Sequence, residues 1–333
     1  MNTKRKRFIK IFQILGVFLF LLIVVFFAGP RSTIDYQAFK QSERVSELKK
    51  IREMSVDEIN EYFSKIDVNK PHLNVELKSR ILWPNGKVQR YSNAVLFLHG
   101  FSASPLELTP LTEKLSTDFH VPVVSPLFSG HGQDADAMSS VKAEDWLFES
   151  LRAYEISKKI ADHVDVIGSS TGATLAYIIS AMGDAQFKHM VFLSPNFGPK
   201  DSRSELITGP WSQLITNLIQ GPYYSWEAAS ELQGKRWLTR MSSRVLPEMM
   251  SLVKFGRELS GQKISSKCLM LYTPHDTVVS VEKLKSKWAT IDCQEKRVHE
   301  INDYFRHVLA GESVATPEVT ADRLKEIEDF FEY

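Results

Sequence analysis

A serine that lies between two glycines is the best candidate for a nucleophile in this chain. Residues 168–172 read GSSTG, which fits the pattern G-x-S-x-G, between the apolar run Val164–Ile167 and the helix-forming stretch Thr171–Met182. A serine at a strand-to-helix turn is held in a strained conformation that exposes its hydroxyl group. The pattern therefore predicts Ser170 as the nucleophile. Ser169 is excluded, because the two glycines are not at the positions that the pattern requires around it. The alternative is an ordinary strand–turn–helix junction without chemistry.

Two backbone amides are candidates for stabilising an oxyanion beside that serine. The N–H group of Thr171 lies at the start of the predicted helix, where backbone donors are unpaired. A second apolar run, Ala94–Leu98, leads directly into His99 and Gly100. Because glycine permits a tight turn, the N–H group of Phe101 is predicted as the second donor. The position of His99 favours a role in the geometry of this loop over a role as a base.

These residues need a scaffold that brings the ends of several strands together. From about residue 73 onward, short β-type runs alternate with helical stretches, which is typical of a mostly parallel sheet covered on both faces. In such sheets the active residues lie in loops at the carboxyl ends of the strands. The predicted strands are Ala94–Leu98, Val121–Ser125, Val164–Ile167, Met190–Leu193, Cys268–Tyr272 and Lys296–Ile301.

Several motifs occur in an order that is more specific than any one of them. They are LFLHGFSASP (96–105), SPLFSGHGQD (125–134), AEDW (143–146), the serine turn (166–172), YTPHDTVV (272–279) and RHVL (306–309). With these motifs the chain resembles the α/β-hydrolase superfamily, in particular its carboxylesterase and monoacylglycerol-lipase-like branch, over about residues 75–333. The resemblance implies an α/β-hydrolase fold and a domain spanning residues 73–333.

The resemblance also implies a catalytic triad in the chain order serine, acid, histidine. Asp276 follows the strand Cys268–Tyr272 and would orient the imidazole and stabilise its charged form. His307 follows the last strand and would deprotonate Ser170, then protonate the leaving group. Asp276 as a turn residue and His307 as a structural histidine are the alternatives.

Three other residues compete for these roles. Asp303 is the reserve acid, but it is close in sequence to His307. His275 adjoins the predicted acid, and His299 falls inside a predicted strand, so both are poorer candidates for the base.

About 75 residues separate Leu193 from Cys268, far more than an ordinary connection needs. Apolar helical stretches are predicted around 211–219 and 245–255, and the resemblance implies a cap over the serine at about 198–264. An aromatic cap would exclude water from an acyl chain. The alternative is ordinary packing of a helical insertion. Its aromatic residues include Trp211, Tyr223, Tyr224, Trp226 and Trp237.

The N-terminal segment predicts a membrane anchor. Residues 11–28 are almost wholly apolar, and 18 helical residues span about 27 Å, close to the thickness of a bilayer core. No small-residue cleavage pattern follows, so a retained signal anchor is favoured over a cleaved signal or a buried helix. Residues 1–10 carry five basic side chains and no acid, which predicts a cytoplasmic flank and a domain on the periplasmic or extracellular side. Residues 31–72 are interpreted as a membrane-proximal stalk with short amphipathic helices.

Composition narrows the remaining possibilities. Residues 11–333 carry 36 basic and 40 acidic side chains, a net charge of −4, which argues against binding to nucleic acid. Neither Cys268 nor Cys293 belongs to a C-x-x-C zinc motif. They are predicted either to form a disulfide bond or to remain two buried thiols. No metal and no cofactor are expected.

These observations predict a membrane-anchored serine hydrolase that cleaves carboxylic esters through an acyl-enzyme intermediate. Its partners would be a small-molecule or lipid ester and, through the N-terminal helix, the membrane. A thioesterase or a serine aminopeptidase-like hydrolase on the same fold is the alternative. A non-catalytic binding protein on this scaffold is a further one, and the oligomeric state stays open.

Overall fold

Helices and strands alternate along most of the chain in this computed structural model, which describes residues 3–332. The first two residues of the predicted basic flank therefore lie outside the described residues. The strands are β1 (Arg80–Leu82), β2 (Tyr91–Leu98), β3 (Val123–Ser125), β4 (Ala161–Ser169), β5 (His189–Leu193), β6 (Tyr223–Ser225), β7 (Arg240–Ser242), β8 (Lys263–Tyr272) and β9 (Asp292–Glu300). The α-helices are α1 (Thr3–Phe27), α2 (Tyr36–Gln41), α3 (Glu43–Glu53), α4 (Val56–Ser64), α5 (Leu111–Asp118), α6 (Ala143–Ile160), α7 (Thr171–Ala181), α8 (Ser212–Gln220), α9 (Glu231–Arg236), α10 (Val245–Glu258), α11 (Val281–Thr290) and α12 (Pro317–Phe331).

Seven strands form one sheet in the order β1-β3-β2-β4-β5-β8-β9. Only β1 is antiparallel to its neighbour, and every other pair is parallel. Successive residues of β2 belong to different buried clusters, with Leu96 and Leu98 in one and Val95 and Phe97 in the other. Both faces of the sheet are thus covered, which explains the nearly continuous apolar runs. The predicted α/β-hydrolase architecture is confirmed.

The two edge strands and β8 differ most from the predictions, β8 because it begins at Lys263, five residues before its predicted start. The short strand β1 was not predicted, because three half-buried residues give no periodic signal. The last strand begins at Asp292, four residues before its predicted start. Its sequence DCQEKRVHE is mostly exposed and charged, as an edge strand with one partner permits. Ile301, the predicted last residue of this strand, lies just outside it.

The segment after the N-terminal helix packs on the domain. Helices α2, α3 and α4 contribute buried apolar side chains to the larger core cluster, among them Tyr36, Ile51 and Phe63. The hydroxyl group of Tyr36 also donates to Asp184, at 2.6 Å. Residues 31–72, interpreted from the sequence as a stalk, are therefore held against the sheet domain over much of their length.

Helix α1 stands apart from this packing. Its stretch Arg7–Phe27 has 21 residues with a mean hydropathy of 2.7, and none of its most apolar window is buried. At about 1.5 Å per residue it is about 31 Å long. Among the described residues it is the one helix long and apolar enough to cross a membrane.

Residues 198–262 lie between β5 and β8 and are called the insertion below. They hold α8, α9 and α10 and a two-stranded antiparallel sheet of β6 and β7, which are connected through α9. Helices α8 and α10 coincide closely with the two helical stretches expected at 211–219 and 245–255.

Cys268 and Cys293 form a disulfide bond between β8 and β9. The sequence left a disulfide bond and two buried thiols equally open, and the structure contains the bond. Cys268 is fully buried in the core, so the bond joins the edge strand to the interior of the sheet.

Candidate functional site

Ser170 occupies the turn between β4 and α7 in a backbone conformation that few residues adopt. Its φ is 50° and its ψ is −114°, and a positive φ is strained for a residue with a side chain. The backbone N–H of Ser170 donates to the carbonyl of Leu193 at 2.8 Å, and its own carbonyl accepts from Asn196 at 3.1 Å. These bonds to the end of the neighbouring strand hold the strained turn in place.

The two glycines of this turn are required by close backbone contacts. A Cβ atom on Gly172 would lie 2.0 Å from the carbonyl oxygen of Leu98, at the end of β2. A Cβ atom on Gly168 would lie 2.4 Å from the Cα of Ala173. Only glycine permits α7 to approach the strands this closely, so the pattern read from the sequence has a steric cause.

His307 and Asp276 come together although 31 residues separate them. The Nδ1 atom of His307 lies 2.6 Å from Oδ2 of Asp276. The other carboxylate oxygen accepts from the backbone N–H groups of Val278 and Val279, at 2.8 and 2.9 Å. Burial acts to raise the pKa of Asp276, but the hydrogen bonds and the positive charge of His307 outweigh it, so the pKa is lowered. Asp276 is thus held as a carboxylate beside the imidazole.

The competing candidates lie elsewhere. Asp303 is exposed, and within residues 3–332 it forms no ion pair with His307. The Nε2 atom of His275 lies 3.1 Å from the carbonyl of Asn302. His299 contacts Glu326 at 2.7 Å. None of the three lines the cavity that Ser170 and His307 border.

The two amides predicted as oxyanion donors border one cavity. Phe101 and Thr171 line it together with Ser170 and His307. Within the described part of the chain, neither backbone N–H group donates to a protein acceptor. Two unpaired donors beside a serine are what an oxyanion site requires.

Two buried histidines shape the loop that carries Phe101. The Nδ1 atom of His99 lies 2.8 Å from the carbonyl of Gly100, and its Nε2 accepts from the backbone of Phe128. His131 accepts from the backbone N–H of Ser102 at 3.0 Å. Burial lowers the pKa of His131 to about 4 and that of His99 well below its usual value. Both rings are therefore neutral, and His99 holds the loop.

Sequence reasoning missed Glu107, a buried carboxyl group that borders the same cavity. One of its oxygens accepts from the backbone N–H of Gly100 at 2.6 Å, and the other from the hydroxyl of Ser169 at 2.7 Å. Burial raises the pKa of Glu107, and the hydrogen bonds and His307 oppose this effect. Glu107 thus ties the Phe101 loop to the serine turn. An acid between Leu106 and Leu108 was the only sequence signal for it.

The cavity has a volume of about 610 Å³ and lies between the sheet edge and the insertion. This size is ordinary for a small-molecule site. The insertion supplies most of its apolar wall, namely Trp226, Trp237, Met241, Leu246 and Met249. Within residues 3–332, no group of three or more His, Cys, Asp or Glu side chains is arranged to hold a metal ion.

Comparisons with known proteins agree with this architecture. The model of the alpha/beta hydrolase family matches residues 95–328. No curated protein sequence matches the chain significantly.

Solved structures match about three quarters of the chain. A structure from work on the metagenome-derived lipolytic enzymes LipS and LipT is 16% identical, covering 76% of this chain and 97% of the other, with a TM-score of 0.63. A soluble variant of monoglyceride lipase from Saccharomyces cerevisiae is 12% identical, covering 76% and 94%, with a TM-score of 0.59. Monoacylglycerol lipase from Paleococcus ferrophilus is 12% identical, covering 76% and 98%, with a TM-score of 0.55.

At these identities the likeness to solved structures concerns the fold, whereas the family model spans well over half of the sequence. The chain belongs to the alpha/beta hydrolase family.

Proposed function

We propose that this protein is a serine hydrolase that cleaves carboxylic esters with Ser170, His307 and Asp276. The observation that carries the proposal is the contact of 2.6 Å between His307 and Asp276, formed at the cavity that Ser170 borders from its strained turn. Two unpaired amides line the same cavity, so a base, an oriented acid, a serine and oxyanion donors converge on one place.

The proposed reaction proceeds in two halves. His307 takes the proton of Ser170 while the serine oxygen attacks the ester carbonyl carbon. The resulting oxyanion is stabilised by the N–H groups of Phe101 and Thr171. The intermediate collapses to an acyl-enzyme, and the alcohol leaves with the proton from His307. Water, deprotonated by the same histidine, then attacks the acyl carbonyl, which releases the carboxylic acid and restores Ser170.

The proposed substrates are esters of short or medium acyl chains, or monoacylglycerols. The apolar wall of the cavity is suited to an acyl chain, and its volume of about 610 Å³ exceeds what a small acetyl ester would fill. The proteins of similar fold include lipolytic enzymes and monoacylglycerol lipases.

We further propose that α1 anchors the enzyme in a membrane, with the hydrolase domain outside the cytoplasm. The length and apolar composition of Arg7–Phe27 and the five basic side chains among residues 1–10 support this orientation. The disulfide bond between Cys268 and Cys293 also supports it, because such bonds persist mainly in oxidising compartments.

The experiment is hydrolysis of p-nitrophenyl esters of graded chain length by the wild type, Ser170→Ala and Ser169→Ala. We expect Ser170→Ala to lose at least about 10⁴-fold in kcat/KM. Ser169→Ala is the matched comparison: it removes the neighbouring hydroxyl and its bond to Glu107, and it should cost far less activity than Ser170→Ala. Comparable activity of Ser170→Ala and the wild type would exclude Ser170 as the nucleophile. The dependence on chain length would define the acyl specificity.

A further inference from the structure

Three of the four apolar side chains of helix α8 in the insertion lie on its outside, whereas Ile215 packs against the core. Ser212 and Thr216, one turn apart, are its buried residues. Leu214 and Leu218, also one turn apart, are 53% and 78% exposed, and Ile219 beside them is 49% exposed. A helix on the surface of a water-soluble domain normally turns its apolar face inward, so α8 is inverted.

The inverted helix belongs to a longer uncharged region. Residues 206–226 contain no Asp, Glu, Lys or Arg, whereas 24% of the whole chain is charged and about five charges would be expected in a stretch of this length. Leu206 adds a fourth exposed large apolar side chain. Among the described residues outside α1, these four account for nearly half of all such side chains. A contiguous apolar patch marks a contact surface.

The exit of helix α1 is fastened to this same region. The backbone N–H of Trp211 donates to the carbonyl of Pro30 at 2.6 Å, and the N–H of Ser32 donates to the hydroxyl of Ser212 at 3.2 Å. A Cβ atom on Gly29 would lie 2.2 Å from the indole nitrogen of Trp211, so ring and backbone are in direct contact. The start of α8 is therefore held within a few residues of the end of α1, at Phe27.

We propose that the outward face of α8 docks on the lipid bilayer that α1 enters. This face is formed by Leu214, Leu218 and Ile219, and Leu206 enters the bilayer surface together with it. This inference rests on the proposed membrane anchoring. A helix whose first residue is bonded to the exit of a membrane span lies at the membrane surface. There its apolar side chains leave water, and the indole of Trp211 occupies the interfacial zone that tryptophan favours. Because the patch carries no charge, docking requires no anionic lipid.

Docking at this place would bring the cavity close to the membrane. Ser32 donates through its hydroxyl to Glu248 of α10, at 3.0 Å. On the same helix, Leu246 and Met249 line the cavity. The contacts thus run without interruption from the end of α1 through the insertion to the wall of the proposed acyl site. An ester dissolved in the bilayer would reach the serine by a short path.

The test places a fluorescent label on the patch in the full-length protein. The two native cysteines are bonded to each other, so Leu218→Cys introduces the one thiol available for an environment-sensitive dye. The protein is placed in phosphatidylcholine nanodiscs, with and without bromine atoms on the acyl chains. Val298→Cys, at an exposed position on β9, is the matched control. Both are made in the Ser170→Ala background, so the result does not depend on hydrolysis.

We expect the label at position 218 to shift to shorter wavelength and to lose most of its emission with brominated lipid, whereas the label at position 298 does neither. Equal emission at both positions would overturn the docking. A shift without quenching, together with a dimeric mass, would assign the patch to a second copy of this chain and overturn it as well. Failure of the protein to remain in nanodiscs would refute both the anchor and the docking, whereas retention without quenching would refute the docking alone.

A kinetic comparison provides the second readout. Leu214→Asp/Leu218→Asp should lower the hydrolysis of a monoacylglycerol carried in phosphatidylcholine vesicles by several-fold and leave hydrolysis of a soluble ester unchanged, because neither leucine lines the cavity. Val298→Asp controls for an added charge. Equal loss on both substrates would contradict docking.

Discussion

The serine turn and the insertion border the same cavity but are built in opposite ways. At the turn, backbone packs against backbone so closely that neither Gly168 nor Gly172 could carry a side chain. In the insertion, α8 turns small polar residues inward and leucines outward. Rigid packing fixes the atoms that react, whereas an apolar, uncharged surface is suited to contact with lipid. With the proposals made above, chemistry belongs to the sheet edge and substrate uptake to the insertion.

The largest expected effect tests whether chemistry belongs to the sheet edge. Asp276→Asn should lower kcat by about 10⁴-fold, because the amide no longer holds the required tautomer of His307 or stabilises its charged form. Glu227→Gln is the matched control, since Glu227 lines the cavity from the insertion and should stay near the wild-type value. Steady-state kinetics on a soluble ester measures both variants. Wild-type activity of Asp276→Asn, with loss in Asp303→Asn, would transfer the role of the acid to Asp303.

Two glycines test the difference in packing. Gly172→Ala forces a Cβ atom to within 2.0 Å of a backbone oxygen and should lower the free energy of unfolding by about 3 kcal/mol or more. Gly234→Ala, in α9 of the insertion, meets only an ordinary contact at 3.6 Å and should raise it by about 0.5–1 kcal/mol. Urea unfolding compares the two with the wild type. Equal effects would mean that the turn is not packed as described.

The smallest effect concerns two carboxyl groups, one from each region, with opposite pKa shifts. Burial raises the pKa of Glu107. Burial also acts to raise the pKa of Glu205 in the insertion, but hydrogen bonds from Arg257 and Lys283 outweigh it, so that this pKa is lowered. The folded state thus favours the protonated form of Glu107 and the ionised form of Glu205.

The two stability differences should therefore change with pH in opposite directions. Relative to Glu107→Gln, the wild type should lose stability as the pH rises from about 4.3, the ordinary pKa of glutamate, through the raised pKa. Relative to Glu205→Gln, the wild type should gain stability as the pH rises from the lowered pKa of Glu205 to about 4.3. Unfolding in urea at a series of pH values between acid and neutral measures both differences. The same sign for both would contradict the contrast between the regions.

Sequence reasoning went furthest where local patterns carry the information. The turn at 168–172 and the strands that lead into it were predicted from glycine spacing and apolar runs. Close backbone packing requires the glycines, and burial on both faces of the sheet requires the apolar runs. The buried strand Val164–Ile167 lies inside β4. The fold followed from these patterns and from the ordered motifs.

Features that depend on distant contacts could not be read in this way. The bonds of Glu107 to Gly100 and Ser169 join a loop to a strand end 62 residues away. The fastening of Pro30 to Trp211 joins segments about 180 residues apart. Neither leaves a periodic signal. The edge strand β1 was missed for a related reason, since its three half-buried residues are too few to show a pattern.

Whether Ser170 is the nucleophile is tested by reacting the protein with a fluorophosphonate and locating the adduct by tandem mass spectrometry. Ser169 and Ser170 lie in one tryptic peptide, 160–188, and fragmentation distinguishes them. We expect a single phosphonyl adduct on Ser170 that is absent from Ser170→Ala and forms much more slowly in Asp276→Asn. An adduct on Ser169, or no adduct on a folded protein, would contradict it.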